Sequence, residues 1–181
     1  MAKFKFPSSD RLLSLVAMFV SLITLIIFVK QTNIMEKESR LGVLPYLMLE
    51  TSNNGEENQF RIEIYNYGVG PAIIENRAIT FKDKDYDMEF PDFLEEVFPQ
   101  QMDSISLINT SSVQPGLAIP AGEHRIVLVA GGSSSSYVNF LKLMEQLQDP
   151  ANGFDYRINY KSIFEDQWVI NALEQEPKAV E

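Results

Sequence analysis

Residues 12–29, LLSLVAMFVSLITLIIFV, run for 18 positions without a charge and are bounded by Arg11 and Lys30. No other stretch restricts the fold so strongly. As an α-helix rising about 1.5 Å per residue, the run is roughly 27 Å long, close to the thickness of a bilayer's hydrocarbon core. Thirteen of its residues are Leu, Ile, Val or Phe. Each is worth about −0.3 to −0.6 kcal/mol on insertion, and the sum of roughly −4 to −8 kcal/mol outweighs the cost of Ser14, Ser21 and Thr24. The run predicts one membrane-spanning helix. A cleaved signal peptide would have an apolar region of about 7–15 residues followed by small residues. Here Val29 leads into KQTNIMEKE, so an uncleaved signal anchor fits better. A core helix of a soluble protein would be shorter or carry a polar stripe.

One side of this helix is distinct. Ser14, Ala17, Ser21 and Thr24 are spaced three, four and three apart, which stacks them on one face. Ala17-x-x-x-Ser21 has the small-xxx-small spacing that lets a second helix approach closely. That reading makes the face a contact with a second copy or with a partner's span. The plainer reading is that the hydroxyls bond back to carbonyls of their own helix and face lipid.

The flanks divide the chain. Residues 1–11 form a short basic tail with Lys3, Lys5 and Arg11, and the far flank carries Lys30, Lys37 and Arg40. Basic residues favour the cytoplasmic side, and their clustering on the short tail places the N-terminus inside and the following domain outside the cytoplasm. Residues 30–42 predict a helical stalk, with Ile27, Ile34 and Leu41 seven apart and Glu36 and Arg40 an i, i+4 pair. Gly42 and Pro45 end it.

From residue 43 the apolar period changes from that of a helix to two. Strands are expected at 45–50, 60–66, 73–82 with a bulge near Asn76, 104–109, 117–119, 124–130, 154–162 and 166–172, with KDKDYDMEF (82–90) turning and pairing back. HRIVLVA (124–130), apolar on both faces after Arg125, reads as a strand inside a sheet. Residues 51–59 read as a polar loop. FPDFLEEVF (90–98) predicts a short helix with Pro91 in its first turn and Pro99 as its stop. YVNFLKLMEQLQ (137–148) predicts an amphipathic helix capped by a serine of GGSSSS (131–136). Residues 173–181 read as a frayed tail. Many short strands, turns between them and two short helices predict a mainly β chain, a β-sandwich over residues 43–172 behind a single transmembrane helix.

The chemistry in the sequence is sparse. The chain has no cysteine, which excludes disulfides and thiol catalysis. Residues 41–181 carry 9 Lys and Arg against 22 Asp and Glu, a net −13. Such a domain repels phosphate backbones, so nucleic acid is not an expected partner. His124 is the only histidine. No G-x-S-x-G elbow accompanies it, so it reads as a partly exposed structural residue rather than a triad base. The strongest acidic grouping is Asp83, Asp85 and Asp87, which would share one side of an extended segment and offer oxygens to a cation such as Ca²⁺. An EF-hand register places Met88 where glycine belongs and Leu94 where glutamate belongs. With Lys82 and Lys84 interleaved, a solvated strand face is the simpler account. No cofactor and no enzymatic activity are expected.

The turn N-Y-G-V-G-P-A (66–72), with L-P-Y-L (44–47) where the domain begins and the anchor before it, resembles bacterial single-pass membrane proteins that carry an immunoglobulin-like domain. The resemblance covers mainly residues 10–75. It implies a bacterial inner-membrane location, anchoring and an immunoglobulin-like fold, and no activity. The reading that results is an anchored, non-catalytic module presenting its domain to a protein partner. The alternative is a structural subunit whose span makes the decisive contact, with hydrolase chemistry a distant third.

Overall fold

The computed structural model describes residues 9–172 and 176–180. Lys3 and Lys5 of the basic tail, and residues 173–175 and 181 of the C-terminal tail, lie outside them. The chain splits into two compact units, Met1–Gly42 and Val43–Glu181. It mixes one long apolar helix with antiparallel sheets.

In the first unit, α1 (Ser9–Leu41) is one helix of 33 residues, about 50 Å long at the usual rise. It contains the 12–29 run and the predicted stalk without a break, as expected of a stretch free of Gly and Pro. It buries none of its residues, and it is long and apolar enough to cross a membrane. Arg40 lies 3.2 Å from Glu36, one turn earlier. The Gly42 N–H closes the last turn on the Glu38 carbonyl.

The second unit is built from two sheets. In the first, β1 (Leu47–Asn54), β2 (Gln59–Asn66), β7 (His124–Gly131) and β5 (Leu107–Thr110) lie in the order β1-β2-β7-β5. In the second, β3 (Ala72–Phe81), β4 (Lys84–Tyr86), β8 (Asp155–Lys161), β9 (Gln167–Asn171) and β10 (Lys178–Ala179) lie in the order β10-β9-β8-β3-β4, with β6 (Ala118–Ile119) also on β3. β7 has a neighbour on each side, as its two apolar faces predict. The bulge in β3 falls between Ile74 and Asn76, where the pattern of the sequence broke.

Three expectations change. β1 does not stop at Glu50 but continues to Asn54, pairing Thr51 with Ile62 and Asn54 with Gln59. As an edge strand with an exposed second half, it needs no apolar alternation to persist. The first short helix, α2 (Phe90–Val97), does end before Pro99 as expected, with Phe98 outside the helical region, and Pro99 then starts a further turn, α3 (Pro99–Met102), because proline fits a first helical position. The C-terminal tail is not frayed throughout, since Lys178 and Ala179 pair with Val169 and Trp168. The second amphipathic helix, α4 (Ser134–Leu147), starts three residues before the predicted bound, capped by Ser133, whose Oγ accepts from Ser136 N.

The strand registers define two poles. Leu47, Asn66, Ala72, His124 and Lys161 lie toward the pole where the chain begins the domain. Asn54, Gln59, Phe81, Gly131 and Asp155 lie toward the other. One core of buried side chains joins the inner faces of both sheets to α2 and α4. At the near pole Leu47, Ile64, Ile74 and Tyr160 are fully buried. The Leu47 N–H donates to the Tyr160 hydroxyl, tying the sheets together. At the far pole Phe81, Phe90, Phe93, Phe98, Phe154 and Tyr156 form a run of ring contacts with centroids 5.4–6.4 Å apart. Phe140 of α4 adds a contact to Phe60 of β2.

Candidate functional site

The N-Y-G-V-G-P-A turn is a structural joint, and Asn66 is its centre. Its side chain is fully buried and makes four hydrogen bonds. Oδ1 accepts from Tyr46 N at 3.1 Å and Gly68 N at 3.0 Å, and Nδ2 donates to the Gly70 and Ile119 carbonyls, both at 2.9 Å. The glycines are needed for space rather than for positive φ. A Cβ on Gly68 would lie 2.4 Å from the Leu44 oxygen, and one on Gly70 would lie 2.0 Å from the Val43 oxygen.

Beside this joint, the outer face of the first sheet carries an aromatic row. Tyr67 stacks on Tyr65 with centroids 4.3 Å apart, and Tyr65 stacks on its cross-strand partner His124 at 6.0 Å and 7°. Glu63 lies 3.7 Å from His124 Nε2 and 3.2 Å from Arg61 Nη1. The Tyr67 hydroxyl donates to Glu50, and this bond raises the Tyr67 pKa above its ordinary value. Tyr67 is 53% exposed. His124 opens β7, whereas Ser133–Ser136 follow its other end. An eight-residue strand separates them by roughly 25 Å, so these serines and His124 form no nucleophilic pair.

The acidic trio is not aligned. Lys82 and Asp83 both have positive φ, 51° and 59°, and form the two-residue turn between β3 and β4. This takes Asp83 out of the extended segment on which the shared side depended. Asp85 accepts from Thr80 Oγ1 at 2.6 Å and lies 3.9 Å from Arg157. Among the described residues no three His, Cys, Asp or Glu are grouped as a metal would require.

On α1, Ser14, Ser21 and Thr24 donate to the carbonyls of Asp10, Ala17 and Val20, each at 2.8 Å. Their hydroxyls are satisfied within the helix. Ala17 and Ser21 remain as small residues one turn apart on an exposed surface.

The far pole contains two features that the sequence did not disclose. Glu89, just before α2, lies 3.2 Å from Arg77 Nε and accepts from Ser112 Oγ and Val113 N. This nearly buried carboxylate thus ties β3 and the segment before β6 to the start of α2. Near it, Tyr156 is 2% exposed, and its hydroxyl has no hydrogen-bond partner among the described residues. Burial raises the Tyr156 pKa far above the ordinary phenol value, with Glu89 adding to the effect and Arg77 opposing it. Tyr156 also lines a cavity of about 150 Å³ beside the β1 edge.

Comparison with known protein families finds no family model that matches this chain, and no curated protein matches it.

Proposed function

We propose that this chain is a single-pass protein of a bacterial inner membrane whose helix anchors an immunoglobulin-like β-sandwich, and that the sandwich binds a protein partner without catalysis. The observation that carries the reading is α1: 33 residues, none buried within the chain. Its 18-residue uncharged run needs an apolar surrounding, which the hydrocarbon core of a bilayer supplies. Strand order supports the fold. An immunoglobulin domain places strands A, B, E and D in one sheet and C, F and G in the other. Here β1-β2-β7-β5 corresponds to A-B-E-D, and β4-β3-β8-β9 to C′-C-F-G, with α2 and α3 inserted after C′ and α4 between E and F. The bacterial location rests on the resemblance of residues 10–75, and the extracytoplasmic side on the basic tail.

The partner surface we assign is the Tyr67–Tyr65–His124 row. Exposed aromatic rings supply contact area at a small cost in side-chain entropy. The alternative, a subunit contacting its neighbours through the span, draws on Ala17 and Ser21. The self-satisfied hydroxyls of Ser14, Ser21 and Thr24 give it no further support.

Alkaline carbonate treatment of membranes from expressing cells tests the anchor. The protein should remain with the pellet, and release to the supernatant would overturn the proposal. Ala17→Ile with Ser21→Ile should leave partner capture intact, whereas Tyr65→Ala with Tyr67→Ala should reduce it tenfold or more. The reverse pattern would favour the span-contact reading.

A further inference from the structure

The first sheet ends in β1, and among the described residues no strand pairs with its other side. Sheet edges are usually protected by shortness, bulges, proline or lysine. The other short strands here follow that rule. β5 has four residues and a shifted register, β4 has three with Lys84 among them, and β6 and β10 have two each. β1 has eight residues, LMLETSNN, with no lysine, no proline and no shift in its register. Backbone groups alternate in direction along an antiparallel strand. The Leu47 N–H turns away from β2 to the Tyr160 hydroxyl, so those of Leu49, Thr51 and Asn53 turn the same way. Each of these three residues offers one N–H and one carbonyl to an added strand. Residues 51–54 are exposed, and an open pocket borders Leu49 and Thr51, so this flank is open to an incoming chain.

Charge selects the occupant. On the outer face Glu50 lies directly opposite Glu63, and like charges so placed repel. Glu63 is answered by Arg61 and His124. Glu50 meets the Tyr67 hydroxyl but, among the described residues, no cation. The net −13 of residues 41–181 disfavours a second copy on this edge. We propose that β1 takes up an extended, basic segment of the protein partner as an added strand, with Lys or Arg at alternate positions facing Glu50. The inference rests on the reading of the domain as a protein-binding module and adds to its surface. Outer side chains of the added strand would lie beside Met48, Glu50 and Ser52, next to the Tyr67–Tyr65 row.

The test uses the full ¹⁵N-labelled chain in phosphatidylcholine nanodiscs, whose neutral headgroups do not attract a basic peptide. The probe is the peptide acetyl-TKVRVTVT-amide. Its titration should move the Leu49, Thr51 and Asn53 amide resonances to saturation. The peptide TEVEVTVT should bind about tenfold more weakly, and Glu50→Gln should narrow that difference. Thr51→Pro removes an outward N–H without touching the ladder to β2, and should weaken the basic peptide about tenfold. A basic peptide N-methylated at alternate residues tests the same bonds without altering the protein, and should not bind. Shifts that fail to saturate overturn the proposal. So does equal affinity for the acidic or the N-methylated peptide, which would place the peptide on a face rather than the edge. Shifts at the same amides on raising protein concentration alone would give the edge to a second copy, and overturn it too. The titration reads the edge alone, so its failure leaves the anchor and the aromatic row standing, and theirs leaves the edge.

Discussion

The two poles of the β unit solve the same packing problem in different ways. At the near pole, one buried amide satisfies four polar partners, and two glycines let backbone lie against backbone. At the far pole, helices and aromatic rings fill the gap between the sheets. They leave a cavity, an ion pair and a hydroxyl without a partner among the described residues. Hydrogen-bonded backbone admits few arrangements, so the near pole is specified closely. Large rings of fixed shape rarely fill a volume completely, and a pocket remains between the sheets.

Substitutions can break or sharpen this contrast, and the tryptophan fluorescence of Trp168, the chain's only Trp, reports on the β unit during urea unfolding. Gly70→Ala should have the largest effect. Its Cβ would overlap the Val43 carbonyl carbon and oxygen at 2.3 and 2.0 Å. We expect a loss of about 4 kcal/mol or failure to fold. Asn66→Ala should cost about 3 kcal/mol, because it strands two N–H groups and two carbonyls at a buried site. Asn66→Asp should not rescue it, since a carboxylate cannot donate to Gly70 and Ile119. A loss below about 1 kcal/mol for either variant would remove the near pole's special status.

At the far pole, Arg77→Met should cost about 2 kcal/mol by leaving Glu89 without its cation. Adding Glu89→Gln should restore part of that loss, because the pair acts as a unit. A further effect is on pH dependence. Burial pushes the Tyr160 pKa up to about 12, above the value of about 10 for an unfolded tyrosine. The folded state therefore keeps this proton longer. The stabilisation is complete below about pH 10 and is lost as pH rises toward the folded value. Urea midpoints should fall between pH 10 and 12, and the fall should flatten in Tyr160→Phe. Tyr156 acts in the same direction.

Much of the near pole was legible in the sequence. The alternation of residues 60–66 and 154–160 is borne out strand by strand, and the 66–72 turn stands where its glycines and proline placed it. Even there the role of the glycines was hidden, because their close approach to residues 43 and 44 depends on tertiary contact. The far pole was less legible. Arg77 and Glu89 are twelve residues apart with no periodic relation, and only the placement of α2 brings them together. Tyr156 follows the same alternation as Phe154 and Ile158, so nothing local distinguishes its hydroxyl. The polar half of β1 carries no strand pattern because its ladder bonds are made by backbone alone. On α1, the Ser14–Thr24 face was plain from spacing, and the structure shows the plainer of its two readings, hydroxyls bonded back to helix carbonyls.

The Asn66 joint also sets where this domain should open last. The amide protons of Tyr46 and Gly68, held by a fully buried side-chain oxygen, should exchange with water only when the whole β unit unfolds. Those of the exposed half of β1 should exchange earlier, through local opening at the sheet edge.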